Sequence, residues 1–168
     1  MLGLATSTTT NLVVEEVTRD NWRAALALGV APEQQRFVAD SAPIAAIALA
    51  KAYVRPAGLV WVPYAFTRDG AMVGFAELAY RPDSADDYWM FHFFIDQRFQ
   101  RQGLGTRALQ LFLRLVRERH PHAQALQLTV HPDNGPAQRL YLRAGFEPTG
   151  EVRFDEPVYR LASLVDLP

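Results

Sequence analysis

The chain has 168 residues, of which 49% are hydrophobic and 21% charged, and its formal net charge is −1. These values are typical of a globular domain with its own core, and the near-neutral charge argues against a nucleic-acid partner. Because the chain has no cysteine, disulfides, thiolate metal sites and a cysteine nucleophile are excluded.

No targeting or membrane segment is predicted. The apolar run 42–52 is too short to span a bilayer and contains Lys51, and the N-terminus lacks the basic-then-apolar pattern of a signal peptide. We therefore expect a cytoplasmic protein without a membrane partner. Residues 1–11 are threonine-rich and show no amphipathic period, so we expect a flexible tail there and a single domain over 12–168.

The first part of the chain is predicted to hold one strand and three helices. Asp and Asn favour helix starts, Pro suits a first turn, and Gly favours helix ends. The predicted elements are a strand at 12–17, a helix from Asp20 or Asn21 to Gly29, a short helix at 33–38 after Pro32 and an alanine-rich helix at 43–53.

The second part is predicted to be mainly β structure with two helices. Asp69-Gly70 is a strong hairpin signal between two apolar strands, and Gly145 is a C-cap signal. The predicted elements are strands at 59–67, 72–80 and 88–95, a helix at 103–119, a strand at 125–130, a helix at 135–144, and a final hairpin of 146–154 with 158–164.

A glycine-bearing turn follows the aromatic strand 88–95 and opens the amphipathic helix 103–119. The free N–H groups of a first helical turn and the positive end of the helix dipole attract anions, and glycine lets a phosphate approach the backbone. Arg101 and Arg107 add positive charge beside this turn. The pattern therefore predicts a phosphate site, and neither a Walker loop nor a dinucleotide fingerprint matches it.

Gln100-Arg101-Gln102-Gly103-Leu104-Gly105 matches the Q/R-x-x-G-x-G/A signature of the GNAT N-acyltransferases. A second signature, N-x-x-A-x-x-L-Y-x-x-x-G-F, runs from Asn134 to Phe146. The order of predicted elements is also that of the GNAT family, with one extra N-terminal helix. The chain thus resembles this family over nearly its whole length.

The resemblance implies a fold, a cosubstrate and its binding residues. The implied fold is α/β (α+β), with a mixed, mostly antiparallel sheet of about seven strands flanked by helices and a central splayed strand pair. The implied cosubstrate is acetyl-CoA, and no metal is expected. The residues that correspond to the family's cofactor contacts are Phe93, Ile95, Arg101, Gln102, Gly103, Leu104, Gly105, Thr106 and Asn134.

By the same resemblance, Tyr141 is the general acid that protonates the departing thiolate, since a tyrosine with an ordinary pKa is protonated at neutral pH. The base is less clear, because Trp89 stands near the position where some GNATs have a glutamate. Glu77, acting through water, and His92 are the two candidates. Strand alternation places His92 on the face opposite Trp89, Phe91 and Phe93 unless a bulge reverses it. Packing alone could also explain Tyr141, and helix capping could explain Asn134.

A closer resemblance is to the bacterial spermine/spermidine acetyltransferases. It rests on segments such as Glu33-Gln34-Gln35 with Phe37-Val38-Ala39 and Phe94-Ile95-Asp96. It implies a polyamine acceptor bound by acidic and aromatic side chains, for which Glu33, Trp89 and Glu147 are the candidates. The other acids that could face the acceptor are Glu77, Asp86, Asp87 and Glu156.

Several alternatives remain open at this stage. The acceptor could be an aminoglycoside, another small amine or a protein amine. The chain could also be an acyl-CoA-binding module without catalytic activity. A homodimer is an expectation from the family resemblance.

Overall fold

The computed structural model describes residues 11–39, 41 and 43–164. The predicted tail 1–11 therefore lies almost wholly outside the described residues. Within these described residues, seven strands form one mixed sheet in the order β1-β2-β3-β4-β5-β7-β6. They are β1 (Leu12–Glu16), β2 (Val60–Arg68), β3 (Ala71–Tyr80), β4 (Tyr88–Ile95), β5 (Leu126–Thr129), β6 (Glu147–Arg153) and β7 (Glu156–Leu161).

In the described part of the chain, four α-helices cover the two faces of this sheet. They are α1 (Trp22–Leu26), α2 (Ile44–Val54), α3 (Leu104–Arg119) and α4 (Gly135–Arg143). The main core lies between the sheet and α3 and α4, where residues such as Phe66 and Phe112 are fully buried. A smaller apolar cluster lies between the opposite face and α1 and α2, with Ala48 and Phe75 fully buried. The predicted fold class is confirmed.

Two predicted helices are present, and each differs from its prediction in one detail. Asn21 does not cap α1 with its side chain; its Oδ1 instead accepts a hydrogen bond from the Thr18 N–H, at 2.7 Å. The predicted helix at 33–38 is a 3-10 helix, Pro32–Phe37. Proline at the start of this segment fits a tight helical turn.

The Asp-Gly hairpin signal was correct. Asp69 and Gly70 have φ values of 51° and 82°, and Arg68 pairs with Ala71, which is the pattern of a two-residue type I′ turn. A second turn of this kind joins β6 to β7, where Phe154 and Asp155 have φ values of 54° and 61°. No glycine or asparagine at these two positions signals the second turn.

Strands β4 and β5 are parallel, and within the described residues they share a single register pair, Trp89 with Gln127. Every other pairing in the sheet is antiparallel. Beyond Trp89 the two strands diverge, so the last part of β4 borders a cleft instead of a neighbouring strand. The predicted splayed pair is confirmed.

Gly74 in β3 supplies a test of the packing beside this cleft. A Cβ at Gly74 would lie 2.7 Å from the Phe94 carbonyl oxygen and 2.9 Å from Ile95 Cδ1. The substitution Gly74→Ala should therefore lower the free energy of unfolding by about 1–3 kcal/mol, as overpacking does. Urea unfolding measures this change.

Gly29→Ala is the matched control, because a Cβ at Gly29 meets no atom within 4 Å. This variant should unfold at the same urea concentration as the unmodified protein, or slightly higher. Equal stabilities for the two alanine variants would contradict the packing described for β3 and β4.

Candidate active site

The cleft between β4 and β5 opens into a cavity of about 340 Å³ at the end of β4. We call it the glycine-turn cavity, because the turn 100–105 forms one wall. The start of α4 forms a second wall, and the chain segment before α2 forms a third wall. Its lining includes Phe93, Ile95, Gln100, Arg101, Gly103, Leu104, Gly105, Asn134 and Tyr141.

The glycine turn leaves the start of α3 without a side-chain cap. Gly103 is the N-cap residue with φ 72°, and Arg101 also has a positive φ of 60°. The first N–H groups of an α-helix have no acceptor within the helix, and here no capping side chain supplies one. The geometry is thus that of a backbone cradle for an anion.

Two residues predicted for this cradle point their side chains elsewhere. The Gln102 Oε1 accepts a hydrogen bond from Arg68 Nη1 at 2.8 Å. Thr106 lines a separate groove between α3 and α4. Any contact of these two residues with a phosphate would therefore be made by the backbone, as the resemblance implied.

Asn134 and Ile95 line the glycine-turn cavity, and each already has one hydrogen bond within the chain. Asn134 Oδ1 accepts a bond from the Ala137 N–H at 3.3 Å and so caps α4. The Ile95 carbonyl accepts a bond from Gln100 Nε2 at 2.9 Å. Capping thus uses the oxygen of the Asn134 amide, and its NH₂ group is the part that remains to serve as a donor.

A second cavity, of about 320 Å³, lies on the other side of Tyr141. We call it the bulge cavity, because it is bordered by a β-bulge in β4. Its charged lining residues are Arg36, Lys51 and Glu156. Its aromatic lining residues are Phe37, Phe91, His92, Phe93, Tyr141 and Phe154.

Tyr141 lines both cavities, as do Phe37, Val38, Phe93 and Thr129. The Tyr141 ring packs against Phe146 at 5.7 Å between centroids and against Phe93 at 6.3 Å. Burial raises the pKa of the Tyr141 hydroxyl, and the negative charge of Glu156 adds to this effect. Tyr141 therefore lies where the two cavities adjoin, and its hydroxyl stays protonated at neutral pH.

The bulge in β4 changes which side chains share a face of the sheet. Phe75 pairs with Phe94 and Glu77 pairs with Phe91, so β4 contains one extra residue between these pairs. His92, within the bulge, has a φ of 51°. As a result His92 joins Phe91 on one face, whereas Phe93 packs on the opposite face.

Strand alternation was expected to place His92 on the face opposite Phe91 unless a bulge reversed it. The bulge does reverse it, so His92 and Phe91 share a face. The expectation that Phe93 shares a face with Phe91 was wrong for the same reason. His92 Nε2 lies 3.7 Å from Glu77 Oε2. The two candidate bases, proposed separately from the sequence, are thus neighbours.

Glu77 is fully buried, and neither of its carboxylate oxygens has a hydrogen-bond partner among the described residues. Burial raises its pKa to about 8, and the positive charge of Lys51 partly opposes this effect. Glu77 lies behind Lys51 and His92, which line the bulge cavity. A buried carboxyl with a pKa near neutrality is a typical feature of functional sites.

The three residues predicted to bind the acceptor lie outside this lining. Glu33 and Glu147 are exposed, and within the described part of the chain neither borders the two cavities. Trp89 is buried in a small apolar cluster, donates a hydrogen bond to Asp87 and faces the Arg153 guanidinium. Of the other acids considered, Glu156 alone lines the bulge cavity.

The sequence did not single out Arg36, Lys51 or Phe154, which all line the bulge cavity. Each belongs to a different element, and only the folded chain brings them together. Among residues 11–39, 41 and 43–164 there is no group of three His, Asp or Glu side chains that could hold a metal ion. No helix in the described part of the chain is long and apolar enough to cross a membrane.

Comparison with known proteins shows which family the chain resembles in sequence and in fold. Residues 31–146 match the family model of the acetyltransferase (GNAT) family. The chain is 31% identical over 147 residues to a spermine/spermidine N(1)-acetyltransferase of Bacillus subtilis (strain 168). The aligned region covers 84% of this chain and 91% of the relative.

Solved structures share the fold at lower identity. A ribosomal L7/L12 alpha-N-protein acetyltransferase in complex with coenzyme A has a TM-score of 0.70 at 17% identity, covering 95% of this chain and 97% of that one. The aminoglycoside acetyltransferase AAC(6')-Ib in complex with ribostamycin and coenzyme A has a TM-score of 0.71 at 19% identity, covering 91% and 93%.

The burial of Glu77 predicts a pH-dependent stability. Its pKa in the folded chain is about 8, above the usual 4.5, so the folded state holds this proton more tightly than the unfolded state. The stability linked to this proton is complete below pH 4.5 and is lost as the pH rises to about 8. One pKa unit corresponds to about 1.4 kcal/mol.

The substitution Glu77→Gln removes this titration. We expect the free energy of unfolding of the variant, relative to the unmodified protein, to increase across this pH range and then level off. Urea unfolding of both proteins at a series of pH values measures the difference. A difference that does not change with pH would contradict the buried, titrating carboxyl.

Proposed function

This chain belongs to the GNAT family of acetyltransferases, and on that premise we propose that it transfers the acetyl group of acetyl-CoA to a primary amine, with a polyamine such as spermidine as the acceptor. The observation that carries the proposal is the position of Tyr141 at the junction of the glycine-turn cavity and the bulge cavity. A donor in one cavity and an acceptor in the other would meet beside its hydroxyl.

The glycine-turn cavity suits acetyl-CoA. The uncapped first turn of α3 would hold the pyrophosphate with the N–H groups of Leu104, Gly105 and Thr106, and Arg101 would add positive charge. Asn134 would donate from its NH₂ group to the pantetheine arm. Residues Phe93 and Ile95, on the splayed part of β4, would hold the reacting end with their backbone groups.

When bound, acetyl-CoA supplies a thioester carbon that a neutral amine attacks. The chain must then hold the amine, remove a proton from it and protonate the departing sulfur. Tyr141 is the proposed proton donor to the sulfur, and its buried hydroxyl is protonated over the working pH range. Glu77 is the proposed proton acceptor, since its pKa near 8 suits an amine.

A polyamine acceptor is supported by the 31% identity to the Bacillus subtilis spermine/spermidine N(1)-acetyltransferase. Within the bulge cavity, Glu156 and the rings of Phe37, Phe91 and Phe154 are groups that bind cations. This set replaces Glu33, Trp89 and Glu147 as the proposed acceptor contacts.

A second acceptor class is favoured by the charges of the same cavity. Arg36 and Lys51 line it together with one acid, Glu156. Arg36 also pairs with Asp133 at 3.2 Å, so part of its charge is balanced. An amine whose remaining part is neutral or anionic would meet less repulsion from Lys51 than a spermine with its several cations.

A panel of acceptors separates these classes. We expect CoA release from acetyl-CoA, followed with a thiol reagent, to depend on spermidine or spermine. The enzyme contributes no background signal because it has no cysteine. Release with an amino acid or aminoglycoside, but not with a polyamine, would reassign the acceptor. Binding of acetyl-CoA without release across the panel would contradict the enzymatic proposal.

The substitution Tyr141→Phe tests the proton donor. Phenylalanine keeps the ring packing with Phe93 and Phe146 but removes the hydroxyl. We expect kcat to fall by about 100-fold, the usual range for a general acid, while the affinity for CoA is nearly unchanged. Steady-state kinetics and calorimetry measure the two quantities, and an unchanged kcat with the best acceptor would rule out this role.

A further inference from the structure

Lys51 lies in the wall of the bulge cavity, in contact with His92, and its positive charge acts on the buried Glu77. Its Nζ is 2.9 Å from His92 Nε2. It also lies over the rings of Trp61 and Phe91, at 4.8 Å and 5.1 Å from their centroids. Helix α2 thus places a primary amine between the cavity and the buried Glu77.

The hydrogen bonds of His92 show how protons are distributed in this cluster. Its Nδ1 lies 2.7 Å from the Val38 carbonyl oxygen. A carbonyl oxygen only accepts, so Nδ1 carries a hydrogen. His92 Nε2 and Lys51 Nζ, 2.9 Å apart, must then share one proton along their hydrogen bond. His92 is neutral when Lys51 is an ammonium group, and its Nε2 lone pair is already occupied.

Glu77 is the group that can take a further proton. Its carboxylate is fully buried and without a hydrogen-bond partner among the described residues, and its Oε2 is 3.7 Å from His92 Nε2. Glu77 does not itself line the bulge cavity in the described structure. An acceptor amine in that cavity reaches Glu77 through Lys51 and His92.

The residue type at position 51 is informative. Lys51 is the single lysine of the chain, and the other 16 of its 17 basic residues are arginine. Arginine could supply the charge, the hydrogen bond and the cation–π contacts. It cannot give up its proton in a protein, whereas lysine can.

We propose that Lys51, His92 and Glu77 form a proton relay, in which Lys51 takes the proton of the acceptor amine and Glu77 stores it. This inference rests on the proposed function and adds Lys51 to it as a catalytic residue. The relay starts from the form in which Glu77 is a carboxylate, His92 is neutral and Lys51 is an ammonium group.

The net result of the relay is that one proton moves from the acceptor to Glu77. The Lys51 proton passes to His92 Nε2, and the same proton then moves from Nε2 to Glu77 Oε2, so that His92 is neutral again and Glu77 is a carboxylic acid. The neutral Lys51 then takes a proton from the acceptor ammonium group, leaving a neutral amine. One N–H bond of the acceptor is broken and one O–H bond forms on Glu77. After transfer, the cluster returns the proton to solvent.

The distances in the cluster are compatible with these steps. The 3.7 Å between Glu77 and His92 exceeds a hydrogen bond, and such distances commonly shorten when substrate binds. The pKa of Glu77, about 8, allows it to be ionised in part near neutral pH. The other charged groups facing the cavity are Arg36 from the 3-10 helix and Glu156 from β7.

Lys51→Arg is the decisive variant. It retains positive charge and hydrogen-bond donors, so a structural role for Lys51 would survive it. The relay predicts that kcat/KM falls by about 100-fold or more in Lys51→Arg and in Lys51→Met alike, as for a lost general base. Near-normal activity of Lys51→Arg in an active enzyme would overturn the relay and leave the proposed function intact.

Combining variants tests whether the three residues act as a unit. The double variant Lys51→Arg/Glu77→Gln should be about as slow as either single variant, because members of one relay are not additive. Multiplied losses would overturn the relay. The pH profile gives a further check: Glu77→Gln should lose the rise in kcat/KM near pH 8.

Nuclear magnetic resonance tests the shared proton without any acceptor. ¹⁵N signals should show neutral His92 with hydrogen on Nδ1 while Lys51 is charged, and His92→Gln assigns these signals. The ¹³Cε signal of the single lysine reports its charge, and Glu77→Gln should move its titration to lower pH, because an anion is removed. An imidazolium at His92 beside a charged Lys51 would overturn the relay even if no acceptor were found.

Discussion

Strands β4 and β5 share one register pair, Trp89 with Gln127, and then diverge, and the rest of the site depends on this divergence. A continued ladder would fill the space where the glycine-turn cavity lies and would cover the Phe93 and Ile95 backbone. The turn 100–105 follows directly from the end of β4, so the same strand end that opens the cleft also aims the start of α3 into it. Tyr141 reaches the junction because α4 follows the other splayed strand, β5.

The bulge at His92 is the second constraint, and it acts on side chains. It reverses the alternation of β4, so that Phe91 and His92 face α2 while Phe93 turns toward Tyr141. Without the extra residue, His92 would lie on the opposite face from Glu77. The cost of a positive φ at a histidine is thus offset by a cluster that joins three elements of the fold.

The sequence was sufficient for features that local chemistry determines. The Asp69-Gly70 turn and the amphipathic helix α3 were predicted because their signals lie within a few residues. The bulge was not predicted, because it depends on the register between β3 and β4. Lys51 was missed because an alanine-rich helix gives little indication of its buried face. Glu33 and Glu147 were selected by their charge and by the segments that carry them, and neither property shows that a side chain faces a cavity.

A crystal structure of the protein with CoA would show whether the sulfur lies where the glycine-turn cavity and the bulge cavity meet. We expect the pyrophosphate on the N–H groups at the start of α3, and the sulfur within hydrogen-bond reach of the Tyr141 hydroxyl at the edge of the bulge cavity. A CoA molecule whose sulfur lies away from Tyr141, or whose phosphates bind elsewhere than the turn 100–105, would contradict this expectation.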